Sequence, residues 1–561
     1  MSEFRVPVGG EDFDEIRQKG SYYVDKSGFV YDLVNNTGNK VSLFTRPRRF
    51  GKTLNMSMIG SFFDVTRDSR SVFEGLAVAE HEDFCREHMN KYPVLSISFK
   101  GIEGLSFEAA IGEMRTTLSN VCHRLPSLDE SDRTSKEDNV LFSRLKAREA
   151  TLEELKSSLF TLSRMLEAHF GQNVILLIDE YDVPLAMANE NGYYREMLDM
   201  MRAVFQYAVK TNPYLQFAVI TGCLRIAKES IFTGTNNFKS YSVLDDKFSQ
   251  YFGFTDSEVL KLLQTAGLER KADEIKSWYD GYIFGDTAVY CPWDVVNYVA
   301  DAVNDPKAKP KNYWNNTSHN GILNALAERV DISDIHDKFE ALMNGDTIEQ
   351  TITDDLTYDM LRGTADESDC DRLWSVLVMT GYLTKTNCDE VGDRVELTIP
   401  NREIEQLFRK VVIERFRKGL DQTKQRAMMK ALWNGDEEKA SELISDFLWQ
   451  TVSYNNYHED YYHAFLAGIF AGMGYSVISD RERGLGRPDI EVLDRNNRRA
   501  LIIEAKKADS EAAMSHECDD ALRQVAEKRY EEDESFYGYR TILRYGVAFY
   551  KKSALVKKAG E

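Results

Sequence analysis

Two patterns of apolar and polar positions organise the chain. In its first half, short apolar runs alternate with longer stretches of helical periodicity. The runs are VSLFT from 41, PVLSISFK at 93–100, NVILLID at 173–179 and QFAVITGCLR at 216–225. Strand and helix in alternation predict a parallel sheet joined by crossover helices. The unbroken NVILLID run reads as a strand buried on both faces. Near the C-terminus, a helical stretch EDYYHAFLAGIFAGMGY leads into YSVISDRERGLGRPDIEVLDRNNRRALIIEAKKA, which reads as strand, Gly-rich turn, strand, turn, strand.

The middle is less regular. Residues 255–354 read as mixed helical, with WYDGYIFG and PWDVVNYVA as aromatic-rich turns between helices. Trp278, Tyr279, Tyr282 and Trp293 offer faces for stacking on bases, although such aromatics beside Gly and Pro ordinarily anchor packing. From 355 a helical stretch DRLWSVLVMTGYLT and two alternating segments around Val391-Gly392-Asp393 suggest a winged-helix-like unit. A polar helical pair over 421–453 follows as a connector. The expected domains are 1–254, 255–354, 355–453 and 454–561.

Length fits this division, since 561 residues exceed what one core organises. With 43% hydrophobic and 29% charged residues and only 11 prolines, the chain should fold nearly throughout. Its formal charge of −21 excludes a generally basic surface, so any nucleic-acid contact must be local. No signal-peptide-like start and no long apolar segment is present, which leads us to expect a cytoplasmic protein. The seven cysteines form no Cys-x-x-Cys pair, and neither a disulfide framework nor a zinc knuckle is indicated.

The candidate chemistry sits where strands end. VSLFT runs into RPRRFGKT, a strand, phosphate loop and helix. In such a loop, backbone N–H groups and the helix N-terminus cradle phosphates. Gly51, Lys52 and Thr53 fit the Gly-Lys-Thr roles, with Lys52 reaching phosphate and Thr53 holding Mg²⁺. Arg49 lies in the loop, and Lys52 is expected to face solvent when the loop is empty. Arg46 stands where G-x-x-x-x-G-K-[ST] has its first Gly, and a surface turn is the alternative reading of this stretch. At the end of NVILLID, Asp179 is placed to bind Mg²⁺ and Glu180 to polarise water. Thr221 and Arg225 follow the next strand as candidate γ-phosphate contacts.

In the C-terminal segment the hairpin turn is Asn496-Asn497. Antiparallel pairing about it sets Asp489 beside Glu504, and alternation puts Glu504 and Lys506 on one face. Asp489, Glu504 and the Ala505 carbonyl offer hard oxygen ligands to Mg²⁺, and Lys506 can orient or deprotonate water. The alternative is a surface ion pair, but charges emerging directly from the apolar strand IIEAK are costly without a function.

These segments resemble the AAA-ATPase-like proteins of bacteria and archaea that carry a C-terminal PD-(D/E)XK nuclease domain. VPVGGEDFDEIRQKGSYYVDKSGFV, RPRRFGKT, LLIDEYDVPL, ITGCLRIAKESIFTGTNNF, WYDGYIFGDTAVYCPWDVVNY, RPDI and EAK carry the likeness in order along the chain. The resemblance implies an α/β protein: a P-loop NTPase domain, a helical and winged-helix-like middle, and a PD-(D/E)XK nuclease fold. It makes Arg46 a family feature. It also implies Glu459 on the first nuclease helix as a catalytic acid, with His463 one turn on, and Gln524 and Lys528 reaching in from a later helix. Arg481, Arg483, Arg487 and Lys507 would form a phosphate-binding rim.

The expected function is an ATP-binding, Mg²⁺-dependent nuclease with nucleotide-controlled activity. DNA is favoured over RNA, without a membrane partner, and homo-oligomerisation is left open. A defence role against phage or mobile DNA is compatible with the architecture. The rival reading is a nucleotide-switched scaffold whose nuclease-like module binds nucleic acid without cutting.

Overall fold

The computed structural model describes all residues except 1–3, 127, 211, 226–237, 315–337, 340, 344, 354–355, 357–366, 387–393, 409–421, 452–458, 474, 479–487, 529, 531–535 and 561. The chain divides into two compact units, Met1–Ser318 with Glu349–Glu403 and His319–Ile348 with Ile404–Glu561.

The first unit is built on a parallel sheet of β1 (Val41–Thr45), β2 (Val94–Ser98), β3 (Val174–Asp179), β4 (Leu215–Gly222) and β5 (Phe238–Tyr241). Its order is β2-β3-β4-β1-β5, so β4 lies between the strand that feeds the phosphate loop and the strand that ends in acids. Every residue of β1 and β3 is buried, as sheets covered on both faces require. The helix before β3, Leu152–Phe170, begins with a Thr151/Glu154 capping box and ends on Gly171 in the left-handed region. Those signals stop the helix one short turn before the strand.

The middle differs in detail from the expectation. YIF of WYDGYIFG is β6 (Tyr282–Phe284), paired antiparallel with β7 (Thr287–Val289), and PWDVV opens the helix Pro292–Asn304. Pro292 at the first helical positions is the physical reason, because its fixed φ suits a helix start. Gly281 has φ 96°, and a Cβ there would lie 1.9 Å from the Pro400 carbonyl oxygen, so no other residue fits. Tyr279 and Tyr282 are buried, and Trp278 is nearly so; they anchor packing. Beyond them lie β8 (Ile348–Thr351), a helix Glu367–Thr380, β9 (Thr384–Lys385) and β10 (Arg394–Thr398), with strand order β8-β10-β9. The expected turn at 391–393 is outside the described residues.

The second unit holds a mixed sheet of β11 (Ser476–Ile478), β12 (Ile490–Asp494), β13 (Arg499–Lys507), β14 (Thr541–Tyr550) and β15 (Ser553–Lys558), hydrogen-bonded in that order. Only β13 and β14 are parallel. One face carries Ile490, Val492, Leu501, Ile503 and Val547, packed with Phe465 and Ile469 of the helix Glu459–Gly472. Helices Gln422–Asn434 and Glu437–Thr451, read from sequence as a connector, bury Met428, Leu432, Ile444 and Phe447 in this same core. Helix side chains at 437, 441 and 445 also close the sheet edge. The N–H groups of Ala554, Val556 and Lys558 donate to Ser445 Oγ, Ser441 Oγ and Glu437 Oε1 at 2.9, 2.9 and 2.8 Å. The helical i, i+4, i+8 spacing thus matches alternate strand residues, and an edge that would otherwise invite another strand is satisfied.

Candidate functional site

In the first unit, β1, β3 and β4 deliver their C-terminal ends to one place, and Thr53, Asp179 and Thr221 meet there. Asp179 is central. Its carboxylate accepts from Thr53 Oγ1 at 2.7 Å, from Thr221 Oγ1, and from the Glu180 N–H at 3.0 Å. A hydroxyl and a carboxylate in contact at the start of the loop helix form a hard-oxygen donor set that could hold a divalent cation. Glu180 follows with φ 53°, an uncommon conformation for glutamate. Burial, then the neighbouring Asp179, raises its pKa, while Lys52 and Lys100 oppose that.

Lys52 departs from expectation, since it is buried rather than solvent-facing. Its Nζ donates to the Arg46 and Pro47 carbonyls at 2.9 and 2.8 Å and lies 3.7 Å from Cys223 Sγ. The loop curls around its own ammonium group, which supplies the hydrogen-bond partners a buried cation requires. Gly51, with φ 80°, caps the helix Lys52–Phe63 from the left-handed region. Arg225 lies three residues beyond β4, with its carbonyl accepting from the Leu356 N–H at 3.4 Å. Sequence reading passed over Asp182, whose carboxylate binds the N–H groups of Cys223 and Leu224 at 2.9 and 3.0 Å and ties the end of β3 to the end of β4. The signal was present as the last acid of IDEYD.

The structure also accounts for the missing first glycine. Arg46 is not among the positive-φ residues, so a side chain is tolerated there. That side chain is fully buried, with Nη1 bound to the Thr45 and Tyr241 carbonyls at 2.8 and 2.9 Å and the guanidinium 4.9 and 5.5 Å from the Phe252 and Phe284 rings. Each such cation–π contact is worth about 0.5–2 kcal/mol, which offsets part of the cost of burying the charge. The other loop side chains are gripped as well. Phe50 packs on Tyr282 and Phe284, and the Arg49 guanidinium lies 4.0 Å from the Trp293 ring. The RPRRF loop therefore gains from packed side chains the fixed shape that glycine-rich loops gain from backbone freedom.

In the second unit the hairpin register pairs Ile490 with Ile503, which carries Asp489 beside Glu504 as expected. The two are interlocked. The Ala505 N–H donates to Asp489 Oδ2 at 2.9 Å, and the Asp489 N–H to Glu504 Oε2 at 3.3 Å. Gln524, from the helix Met514–Lys528, donates to Glu504 Oε1. His463 Nε2 lies 3.2 Å from both Asp489 Oδ2 and the Ala505 carbonyl oxygen. Lys506 follows at the strand end, whereas Lys528 is exposed.

Electrostatics separates the two carboxylates. Burial raises the Asp489 pKa, but the His463 bond and charge, the Ala505 N–H and Lys506 outweigh it and hold Asp489 below its ordinary value. Burial and then Asp489 push Glu504 up to about 7. Two adjoining acids are thus driven towards opposite protonation states. The donor set of two carboxylates and a carbonyl is that of a divalent cation.

Tyr530 was not anticipated. Its hydroxyl sits within electrostatic reach of Gln524 and Glu504, and burial raises its pKa. Helical spacing alone does not place position 530 beside 524. Glu459 is the first residue of its helix, but its side chain, like Arg481, Arg483 and Arg487, lies outside what is described.

Family comparison agrees with both halves. Residues 7–232 match the model for a predicted AAA-ATPase, and residues 457–559 match that of the PD-(D/E)XK nuclease superfamily. The chain thus joins a predicted AAA-ATPase-like domain to a C-terminal PD-(D/E)XK nuclease-superfamily domain. It is similar to an uncharacterised protein in the vnfD 5′ region of Azotobacter chroococcum mcd 1, with 26% identity covering 99% of this chain and 98% of that one. The likeness runs through both domains and the segment between them. Among the described residues, no helix is long and apolar enough to cross a membrane.

Proposed function

We propose that this chain is an ATP-binding, Mg²⁺-dependent nuclease that hydrolyses phosphodiester bonds in DNA under control of its nucleotide site. The observation that carries the reading is the interlocked Asp489, Glu504, Ala505 and Lys506 cluster, with its two carboxylates driven to opposite protonation tendencies.

Asp489, Glu504 and the Ala505 carbonyl would hold the metal, which when bound polarises the scissile phosphate and lowers the pKa of water. Lys506, at the end of the same strand, orients the attacking water and receives its proton or shares its hydrogen bond. Gln524 fixes the Glu504 carboxylate. Glu459 is proposed as a further acid of this centre. In the other unit, Thr53 and Asp179 would hold Mg²⁺, Lys52 would exchange its carbonyl partners for phosphate oxygens, and Glu180 would polarise water. Arg49, Gly51, Thr221 and Arg225 complete that nucleotide site. We place the protein in the cytoplasm, acting on invading DNA.

The test is incubation of the purified chain with linear, circular and single-stranded DNA and with RNA, with and without Mg²⁺ and ATP. Mg²⁺-dependent cutting of DNA that Asp489→Ala abolishes supports the reading. Binding without cutting under every condition favours a nucleotide-switched scaffold instead.

A further inference from the structure

Packing holds every side chain at the start of the phosphate loop but one. Arg46, Pro47 and Phe50 are buried and Arg49 is half-buried, whereas Arg48 is exposed. Pro47 sits against Gly381, where an added Cβ would lie 3.0 Å from the proline Cβ, and the Arg49 guanidinium lies over the Trp293 ring. A long cationic side chain left in solvent between such tightly held neighbours has no evident part in shaping the loop.

The backbone fixes where Arg48 stands. Thr45 pairs with Gly222 at the end of β4, and the Arg46 N–H donates to the Gly222 carbonyl at 3.1 Å. Two residues further on, the loop runs beside Cys223, whose Sγ lies 3.7 Å from Lys52 Nζ and whose N–H donates to Asp182 Oδ2 at 2.9 Å. Cys223, Asp182 and Glu180 are all within electrostatic reach of the Arg48 guanidinium. Lys52 acts on the same three groups. One loop thus aims two cations at one set of acids, a buried ammonium held by the Arg46 and Pro47 carbonyls and an exposed guanidinium.

In the proposed nucleotide site Lys52 meets phosphate oxygens and Glu180 polarises the attacking water, so the γ-phosphate falls between those two side chains. It brings negative charge to a place where Asp179, Glu180 and Asp182 already follow one another closely, and a cation must accompany it there. ADP brings no charge to that place. A guanidinium suits the task, since it stays charged, is weakly hydrated and presents a planar fork of donors that matches two phosphate oxygens. We infer that Arg48 is the γ-phosphate contact through which this site tells ATP from ADP. The inference rests on the nucleotide-site reading and is independent of what the second unit does.

The experiment is titration calorimetry of the full chain in Mg²⁺ with ADP and with the non-hydrolysable β,γ-imido analogue of ATP. The proteins compared are parent, Arg48→Ala and Arg48→Lys. Arg48→Ala should bind the analogue at least about tenfold more weakly than the parent does, and ADP within about twofold of it. The retained ADP affinity also reports that the variant is folded. Arg48→Lys keeps the charge without the fork, and its affinity for the analogue should fall between the other two. A parent that binds neither nucleotide overturns the nucleotide-site reading and this inference with it. A parent that binds both, with Arg48→Ala keeping the parental ratio of the two affinities, overturns the inference alone, because a contact made only to the γ-phosphate must change that ratio. A parent that binds ADP but not the analogue overturns it too.

Discussion

Replacing Glu504 by Gln should stabilise the metal-free protein in a pH-dependent way. The Glu504 side chain is 1% exposed and its pKa is about 7 in the folded chain against an ordinary value of 4.5. A folded value above the unfolded one means the native state binds the proton more tightly. The acid therefore costs nothing below about pH 4.5, costs progressively more as pH rises towards 7, and costs its full amount above that. The interval corresponds to about 3 kcal/mol at neutral to alkaline pH. The substituted glutamine cannot ionise and escapes this cost, though its amide will face the Asp489 N–H, a pH-independent loss of about 1 kcal/mol. For a unit of 150–250 residues, 1 kcal/mol moves the melting temperature by roughly 2–4 °C. In calorimetric melts with EDTA, the transition of the nuclease unit should be equal or slightly lower for Glu504→Gln at pH 5, and higher by roughly 4–8 °C at pH 8. A difference between variant and parent that stays constant from pH 5 to pH 8 refutes the reasoning, because burial and Asp489 would then not be acting on an ionisable Glu504.

Lys52→Ala should weaken ATP binding at least about tenfold by calorimetry. Because Lys52 also holds the Arg46 and Pro47 carbonyls, its loss should speed hydrogen exchange over 46–51; unchanged affinity counts against the phosphate loop. Glu180→Gln should bind ATP as the parent does and hydrolyse it on the order of 100-fold more slowly, and equal turnover removes Glu180 from that role. Lys506→Ala should slow DNA cleavage on the order of 100-fold while metal affinity, read by titration, stays near parental. Equal cleavage would make the active-site assignment wrong.

Much of both sites was legible because it depends on local order. The loop RPRRFGKT, the acids ending NVILLID, and the hairpin centred on Asn496-Asn497 each follow from residues close in sequence, and strand period alone puts Glu504 and Lys506 on one face. PWDVVNYVA, read as an aromatic-rich turn, is instead the start of the helix Pro292–Asn304, where Pro at the first positions is favoured.

The sequence by itself determined the order of strands and helices, the alternation within each strand, and the identity of the residues at strand ends. Only the tertiary structure decided which ends meet. Insertion of β4 between β1 and β3 brings Thr221 and Cys223 to Asp179 and Lys52, and the packing of helix Met514–Lys528 brings Gln524 to Glu504. It also decided that Lys52 is buried, that Arg46 sits among Phe252 and Phe284, and that helices 422–451 belong to the nuclease core. The reason is physical: periodicity fixes which way a side chain points from its own element. Burial, pKa and partner depend on what packs against it from elements far away in the sequence.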